Sequence, residues 1–421
     1  ACDATDPAAI ALLRQRKGRP AKPFALMCRQ DILMRHANPT AAELDRLTDP
    51  AAPIVLLKPE GAPLPQEVAP GQHLLGWMLP HTPLHHLVCD AVGRPLVMTS
   101  GNRPGEPIAI DNDNARKRLG AIADGLLMHD REIARGLDDS VERQTRHGPM
   151  VLRRGRGRVP GTLDLPPGFP DRQVVAYGGQ TKAAICLTRG GRALLGHHLG
   201  ALDDDQTWNA FLQAHRDYAV LLDHHPEAAA CDLDPGYRTT AHARAAGLPV
   251  TEVQHHHAHM AACMGENAWP LDAGPVVGIV LDGSGLGSDG TIWGGEVLLG
   301  DYRSARRITW LTPAPLAGGD LALREPWRNL LVRLDQSGLS DVADRLLHER
   351  PRNELRQAVR SGADAPLSSS AGRLFDAMAA ALGLCDSGQT FEGEAAIRVE
   401  ALAQHGRSAT GGYPLGEEGQ D

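Results

Sequence analysis

The residues best suited to chemistry lie in Gln254-His255-His256-His257-Ala258-His259, with four histidines inside five positions. On a helix, His255 and His259 stand at i and i+4, one above the other on a single face. Two imidazoles so placed can bind one metal ion and leave positions open for a carboxylate and a substrate. The carboxylate candidate is Asp282, in Leu281-Asp282-Gly283-Ser284-Gly285-Leu286-Gly287. It follows an apolar run, Val276 to Val280, that reads as a buried strand. A glycine-rich turn brings backbone N–H groups close to phosphate or metal, which adds Gly283 and Gly285 to the candidates. The plainer readings are a solvated histidine-rich helix end or a core histidine satisfied by backbone. The Asp–Gly turn, followed by Trp293-Gly294-Gly295-Glu296 at strand–turn–strand spacing, favours the metal centre. His256 and His257 fall roughly 100° and 200° round the helix from His255 and are expected to face away. Cys263, one turn past His259, reads as a buried core thiol.

A second group of candidates lies near the start of the chain. Lys17-Gly18-Arg19-Pro20-Ala21-Lys22-Pro23 places three cations just before a strand, Phe24–Met27. Thr99-Ser100-Gly101-Asn102 ends another strand with two hydroxyls and an amide over a glycine. Ammonium and guanidinium groups bind phosphate oxygens and offset their charge, so Lys17, Arg19, Lys22, Ser100 and Asn102 suit a nucleotide or another phosphorylated substrate. Each motif alone also fits an ordinary loop. The segment Arg131–Arg158 is locally basic and suits RNA, a ligand phosphate or a salt-bridged surface equally well.

The elements that must position these residues follow an α/β pattern. In the first part, Ile54–Leu57, Leu96–Met98 and Leu126–Met128 read as strands, and Thr40-Ala41-Ala42-Glu43 reads as a capping box. Residues 159–171, with four prolines, read as a linker between a domain at 1–158 and another at 172–421. Beyond it come strands Val174–Tyr177, Ala183–Leu187 and Ala193–Leu195, with Gly178-Gly179 and Gly190-Gly191 between them. A helix, Gln206–Asp223, a strand, Ala228–Cys231, a helix, Thr239–Ala246, and a strand, Pro249–Val253, lead to the histidine helix. This order matches the duplicated α/β fold of actin-type ATPases (ASKHA), in which Gly178 and Gly179 with Asp282, Gly283 and Gly285 would face a nucleotide. Residues 326–404 read as mainly helical, and 411–421 as a turn-rich tail.

With 421 residues the chain suits two or three domains. Hydrophobic content of 42% and charged content of 22% describe a globular protein. No apolar run approaches the roughly 20 residues of a membrane span. The net charge of −8 argues against a general nucleic-acid binder. Seven scattered cysteines without a CxxC pair fit reduced thiols, and hence a cytoplasmic setting.

Lys17-x-Arg19-x-x-Lys22-Pro23 with Thr99-Ser100-Gly101-Asn102 resembles the YrdC/TsaC family, which makes carbamoyl-adenylates from ATP. Gly178-Gly179, Cys231-Asp232-Leu233-Asp234-Pro235-Gly236-Tyr237, the Gln254–His259 motif, Leu281–Gly287 and Trp293–Glu296 resemble TsaD-like metal-binding carbamoyl transferases. The two in this order, with Arg324–Arg328 and Ser369–Asp376, resemble the HypF family of nickel–iron hydrogenase maturation across essentially the whole chain. The resemblance implies a carbamoyltransferase using ATP, carbamoyl phosphate and Mg²⁺, with HypE as partner. Carbamoyl-adenylate would form in a YrdC-like domain, and the carbamoyl group would pass in a TsaD-like domain to the C-terminal cysteine of HypE. It further implies His255, His259 and Asp282 as ligands of a divalent metal, Zn or Fe. Lys17, Arg19, Lys22, Ser100 and Asn102 would hold the nucleotide and carbamoyl phosphate. HypF-like proteins begin with an acylphosphatase-like domain and a zinc-finger region, neither of which is seen here, and the first YrdC-like strand is expected to be missing. They continue with a glycine-rich segment and a further Asp ligand, so the second domain is expected to be incomplete at its C-terminus. The alternatives are a fused tRNA threonylcarbamoylation protein, disfavoured by Trp293–Glu296, the Ser369–Asp376 run and the acidic net charge, and a non-catalytic RNA- or partner-binding module, disfavoured by the presence of His255 and His259 alongside Asp282.

Overall fold

A computed structural model describes residues 1–103, 105–362 and 364–406. The expected tail at 411–421 lies outside the described residues. The first sheet has seven strands: β1 (Cys2–Asp3), β2 (Ala25–Met27), β3 (Ile54–Leu57), β4 (Leu75–Met78), β5 (Leu96–Met98), β6 (Val141–Thr145) and β7 (Gly148–Arg153). Their order is β1-β5-β2-β4-β3-β6-β7. Phe24, Leu26, Val55, Trp77 and Val97 form its buried core with Ile10 of the helix Pro7–Lys17. That helix starts where Asp6 accepts the Ala8 and Ala9 N–H groups and ends at Gly18 in the left-handed region. The capping box expected at Thr40 is present, with Glu43 bonded back to the Thr40 N–H. Leu126–Met128, expected as a strand, pairs with nothing in the sheets, because β6 already occupies the place beside β3. Leu127 is 76% exposed there.

The second sheet contains β8 (Thr162–Asp164), β9 (Val174–Ala176), β10 (Cys186–Arg189), β11 (Arg192–Leu195), β12 (Ala228–Asp232) and β13 (Val250–Val253), in the order β13-β12-β9-β10-β11-β8. The stretch expected as a linker thus supplies a strand, since β8 pairs antiparallel with β11. Ala183 is bridged to Gly200 instead of belonging to β10. In the third sheet, β14 (Val276–Leu286), β15 (Ile292–Gly300) and β16 (Ala305–Trp310) repeat the antiparallel meander of β9, β10 and β11. This repetition is the duplicated pattern read from the sequence. Two short strands, β17 (Ala314–Pro315) and β18 (Leu367–Ser368), complete the third sheet among the described residues. The expected helical section follows, as helices Pro326–Gln336, Ser340–Leu346, Arg352–Ser361, Ala371–Ala381 and Glu394–His405.

Side chains tie the first sheet's layer to the rest of the chain. Arg135 donates to Asp217 at 2.5 Å and Arg143 to Glu400 at 2.7 Å. Arg156 and Arg158 are likewise paired, with Asp139 and Glu142. Much of the basic segment is therefore consumed by internal ion pairs. None of the cysteines forms a disulfide, and no described helix is long and apolar enough to cross a membrane.

Candidate metal centre and anion-binding site

β12 and β13 run parallel, with Asp232 beside Val253. That register sets the end of one strand against the start of the helix His255–Glu266, which follows β13 directly. Gln254 caps this helix by accepting the His257 N–H. Buried Asp232 then receives His255 Nδ1 at 2.6 Å, fixing the tautomer so that Nε2 points away from it. His255 Nε2 lies 3.2 Å from His259 Nε2 and 3.2 Å from Asp282 Oδ2. One donor atom each from His255, His259 and Asp282 falls within 4.8 Å of the others.

The electrostatics match a cation site. Burial lowers the His255 pKa, but the hydrogen bond to Asp232 and the nearby Asp282 carboxylate outweigh it and push it up to about 10. Burial raises that of Asp282, yet His255, His256 and the Gly283 N–H hold it well below the usual carboxylate range. His259 is lowered by partial desolvation and then by the charge on His255. Two carboxylates thus face imidazoles at close range, and two inner polar atoms, Asp282 Oδ2 and His256 Nε2, have no hydrogen-bond partner among the described residues. A divalent ion fits this donor set; two imidazoles and a carboxylate suit Zn²⁺ or Fe²⁺.

Several neighbours depart from expectation. His256 does not face away: it is fully buried, with Nε2 3.5 Å from Asp282 Oδ2. β14 packs on that side of the helix and covers it. His257 does face away, bonded to the Asp301 carbonyl at 2.7 Å. Cys263 is exposed, because the stretch of β14 facing it leaves an open groove, where Ile279 and Leu281 are 74% and 64% exposed. At Gly285 a Cβ would lie 2.7 Å from His256 Cε1 and 2.8 Å from His255 Cδ2, so glycine lets both rings approach the strand. Gly179 borders the same centre, 3.7 Å from His255 Cε1 on the same measure, with Gly178 beside it in the left-handed region. Asp232 was missed as a site residue. Its signals in the sequence were its place in the Cys231–Tyr237 motif and its position as a carboxylate closing the apolar run Ala228-Ala229-Ala230-Cys231.

The cationic candidates also converge. Lys17 Nζ donates to the Ser100 carbonyl at 2.7 Å and reaches Asn102 Oδ1 at 3.4 Å, while Ser100 Oγ donates to the same Asn102 oxygen. Arg19 Nη1 lies 3.4 Å from Thr99 Oγ1. Buried Arg14, not anticipated, shapes this loop by donating to the carbonyls of Glu67, Val68, Arg19, Pro20 and Lys22. Burial, then the charges of Arg14 and Arg153, push Arg19 down to about 10. Burial and Arg19 push Lys17 down to about 8. Lys22 is lowered in the same way, by burial and then by Arg19 and Arg153. Clustered, partly desolvated positive charge that Asp138 and Glu392 offset only in part suits an anion.

The comparisons with known proteins agree with this layout. Residues 1–155 match a family model of the Sua5/YciO/YrdC type, described as "Telomere recombination". Residues 170–266 match the "HypF Kae1-like domain", and 278–420 the second subdomain of a carbamoyltransferase Kae1-like domain. A carbamoyltransferase HypF of Rhodobacter capsulatus is 62% identical over 408 residues, covering 96% of this chain and 55% of the relative. The chain belongs to the HypF family. A probable carbamoyltransferase HypF of Methanocaldococcus jannaschii is 31% identical over 96% of the chain. A full-length HypF crystallised in a phosphate- and nucleotide-bound form superposes with a TM-score of 0.89 at 36% identity, over 95% of this chain and 63% of that one. HypF from T. kodakarensis gives the same score at 31% identity, over 97% and 56%. This HypF-family chain therefore spans about half the length of the curated relatives it matches.

Proposed function

We propose that this chain carries two coupled activities of a carbamoyltransferase. The anion site built on Lys17, Arg19, Lys22, Ser100 and Asn102 binds ATP with Mg²⁺ and carbamoyl phosphate and forms carbamoyl-adenylate. The centre built on His255, His259 and Asp282 receives that adenylate, and the C-terminal cysteine thiolate of HypE attacks its carbamoyl carbon, with AMP as the leaving group. The observation that carries this reading is the His255–His259–Asp282 donor set with Asp232 behind His255. A divalent metal there would supply Lewis acidity and an anchor for the adenylate phosphate. Gly178, Gly179 and Gly283 leave room for backbone to approach the nucleotide, whereas the space at Gly285 is taken by the His255 and His256 rings. Asp232 keeps His255 Nε2 turned toward the other ligands, and the guanidinium of Arg19 neutralises phosphate charge. The Lys182–Glu392 ion pair, at 2.9 Å, lies where the two sites approach one another. Lys182 acts electrostatically on His259, and Glu392 on Lys22. That proximity suits the transfer of an adenylate that water would otherwise hydrolyse.

The test pairs elemental analysis with two assays. Wild-type protein is expected to carry about one metal per chain, lost in His255→Ala and His259→Ala. Pyrophosphate release from ATP should require carbamoyl phosphate and fall at least tenfold in Arg19→Met, corresponding to loss of one charged contact. Mass spectrometry of HypE should show a carbamoylated C-terminal cysteine with wild type only. Pyrophosphate release indifferent to carbamoyl phosphate, or equal metal in all three proteins, would overturn the reading.

A further inference from the structure

Glu296 is a buried carboxylate that the proposed chemistry does not use. Only 1% of the residue is exposed, yet four donors converge on it. Oε1 accepts the N–H groups of Gly294 and Gly295 at 3.0 and 3.1 Å and the hydroxyl of Ser369. Oε2 accepts Arg307 Nε at 2.6 Å. Arg307 itself is held between two indoles, 4.3 Å from the centroid of Trp293 and 4.0 Å from that of Trp310. Its remaining nitrogens donate to Asp289 and to Ser369 Oγ, both at 3.0 Å. The assembly spans β15, β16 and the loop after β18, and leaves the guanidinium little freedom.

Both arms of the network end at one turn. Gly294 packs so closely on Asp282 that a Cβ would stand 2.6 Å from the Asp282 carbonyl oxygen. Ser370, next to the clamped Ser369, shares its hydroxyl between the carbonyls of Asp282 and Gly283 at 3.0 and 2.8 Å. The backbone that carries the third ligand candidate is thus gripped on two sides, and both grips trace back to Glu296 Oε1. We infer that Glu296 and Arg307 are positioning residues for the Asp282 carboxylate, setting its place in the metal centre through Gly294 and the Ser369–Ser370 pair. This inference rests on the metal reading above.

Partners behind a metal ligand typically change affinity by roughly ten- to hundredfold when removed. The experiment measures Co²⁺ affinity and the d–d absorption of the Co²⁺ complex for wild type, Glu296→Gln, Arg307→Met and Ser370→Ala, with His259→Ala as reference. Melting temperature and circular dichroism are recorded for each. Glu296→Gln presents an amide donor to Arg307 Nε, and Arg307→Met removes the clamp on Ser369. Ser370→Ala deletes the contact to the Asp282 turn together with the cap its hydroxyl gives the Arg373 N–H. It is the smallest of the three changes, so the affinity and spectrum of the folded variant decide the matter if either larger change prevents folding. The expected result is a ten- to hundredfold weaker Co²⁺ complex with altered d–d bands in folded variants. A restored spectrum in Arg307→Lys is expected where the ion pair re-forms. Lower melting temperature with unchanged affinity and spectrum would reduce the network to scaffolding and overturn the inference. Equal Co²⁺ binding by wild type and His259→Ala would instead sink the metal reading itself.

Discussion

At the scale of single residues, Lys17 has the most to report. Its ammonium is partly desolvated and close to Arg19, which holds its pKa near 8 against an ordinary 10.5. An anion at the site favours the protonated form, so affinity is full below pH 8 and falls as pH rises through that value, up to tenfold per unit. Stability runs the other way. Between pH 8 and 10.5 the unfolded chain holds a proton that the folded chain has lost, so this group favours folding more as pH rises. Calorimetric titration of ATP from pH 6.5 to 9.5 should show the loss of affinity in wild type, and Lys17→Met should flatten it. A wild-type profile as flat as that of Lys17→Met would show that the ammonium does not serve the anion. Local chemistry of this kind was readable in advance, because Lys17, Arg19 and Lys22 lie within six residues, at the end of the helix Pro7–Lys17 and in the loop after it. Arg14 was not: its role depends on carbonyls of Glu67 and Val68, brought back by the fold from distant positions.

At the scale of elements, the helix His255–Glu266 and strand β14 act as a matched pair. The i, i+4 histidine spacing follows from helical periodicity, so His255 and His259 could be paired from sequence alone. Which side of the helix would be covered depends on β14, and this decided the fates of His256 and Cys263. Met260 and Met264 pack against Val280 and Trp293, and His256 is drawn in on the same side. Gly285 marks the tightest point of contact. It does not have a positive φ, so alanine there meets a steric problem and no backbone penalty. Gly285→Ala is expected to push the His255 and His256 rings aside, lowering metal content and costing about 1–3 kcal/mol of stability. Gly265→Ala, with open space at the same helix, should bind metal normally and melt no lower than wild type. Equal metal content in the two variants would refute the role given to Gly285.

At the scale of the whole molecule, the proline-rich stretch 159–171 misled because prolines announce irregular chain without saying whether it is anchored. Here it is anchored repeatedly. β8 pairs with β11, the Leu165 N–H reaches the Gly191 carbonyl, and Leu271 donates to the Pro167 carbonyl. Phe169 meets Tyr302 edge to face at 4.8 Å. Limited subtilisin digestion is therefore expected to spare residues 159–171 until the second sheet unfolds, since cleavage needs local opening. Rapid cutting there with both halves remaining folded would contradict this. The metal centre has a related property. Its histidines follow the second sheet, its aspartate belongs to the third, and no single one of these layers holds the full donor set. By mass action, any ion bound by all three ligands is also a fastener between layers. At a free concentration a hundred times its dissociation constant it contributes about 2.7 kcal/mol to keeping them together. Metal supply would then govern the lifetime of the folded chain, and starvation for the ion would appear first as protein turnover.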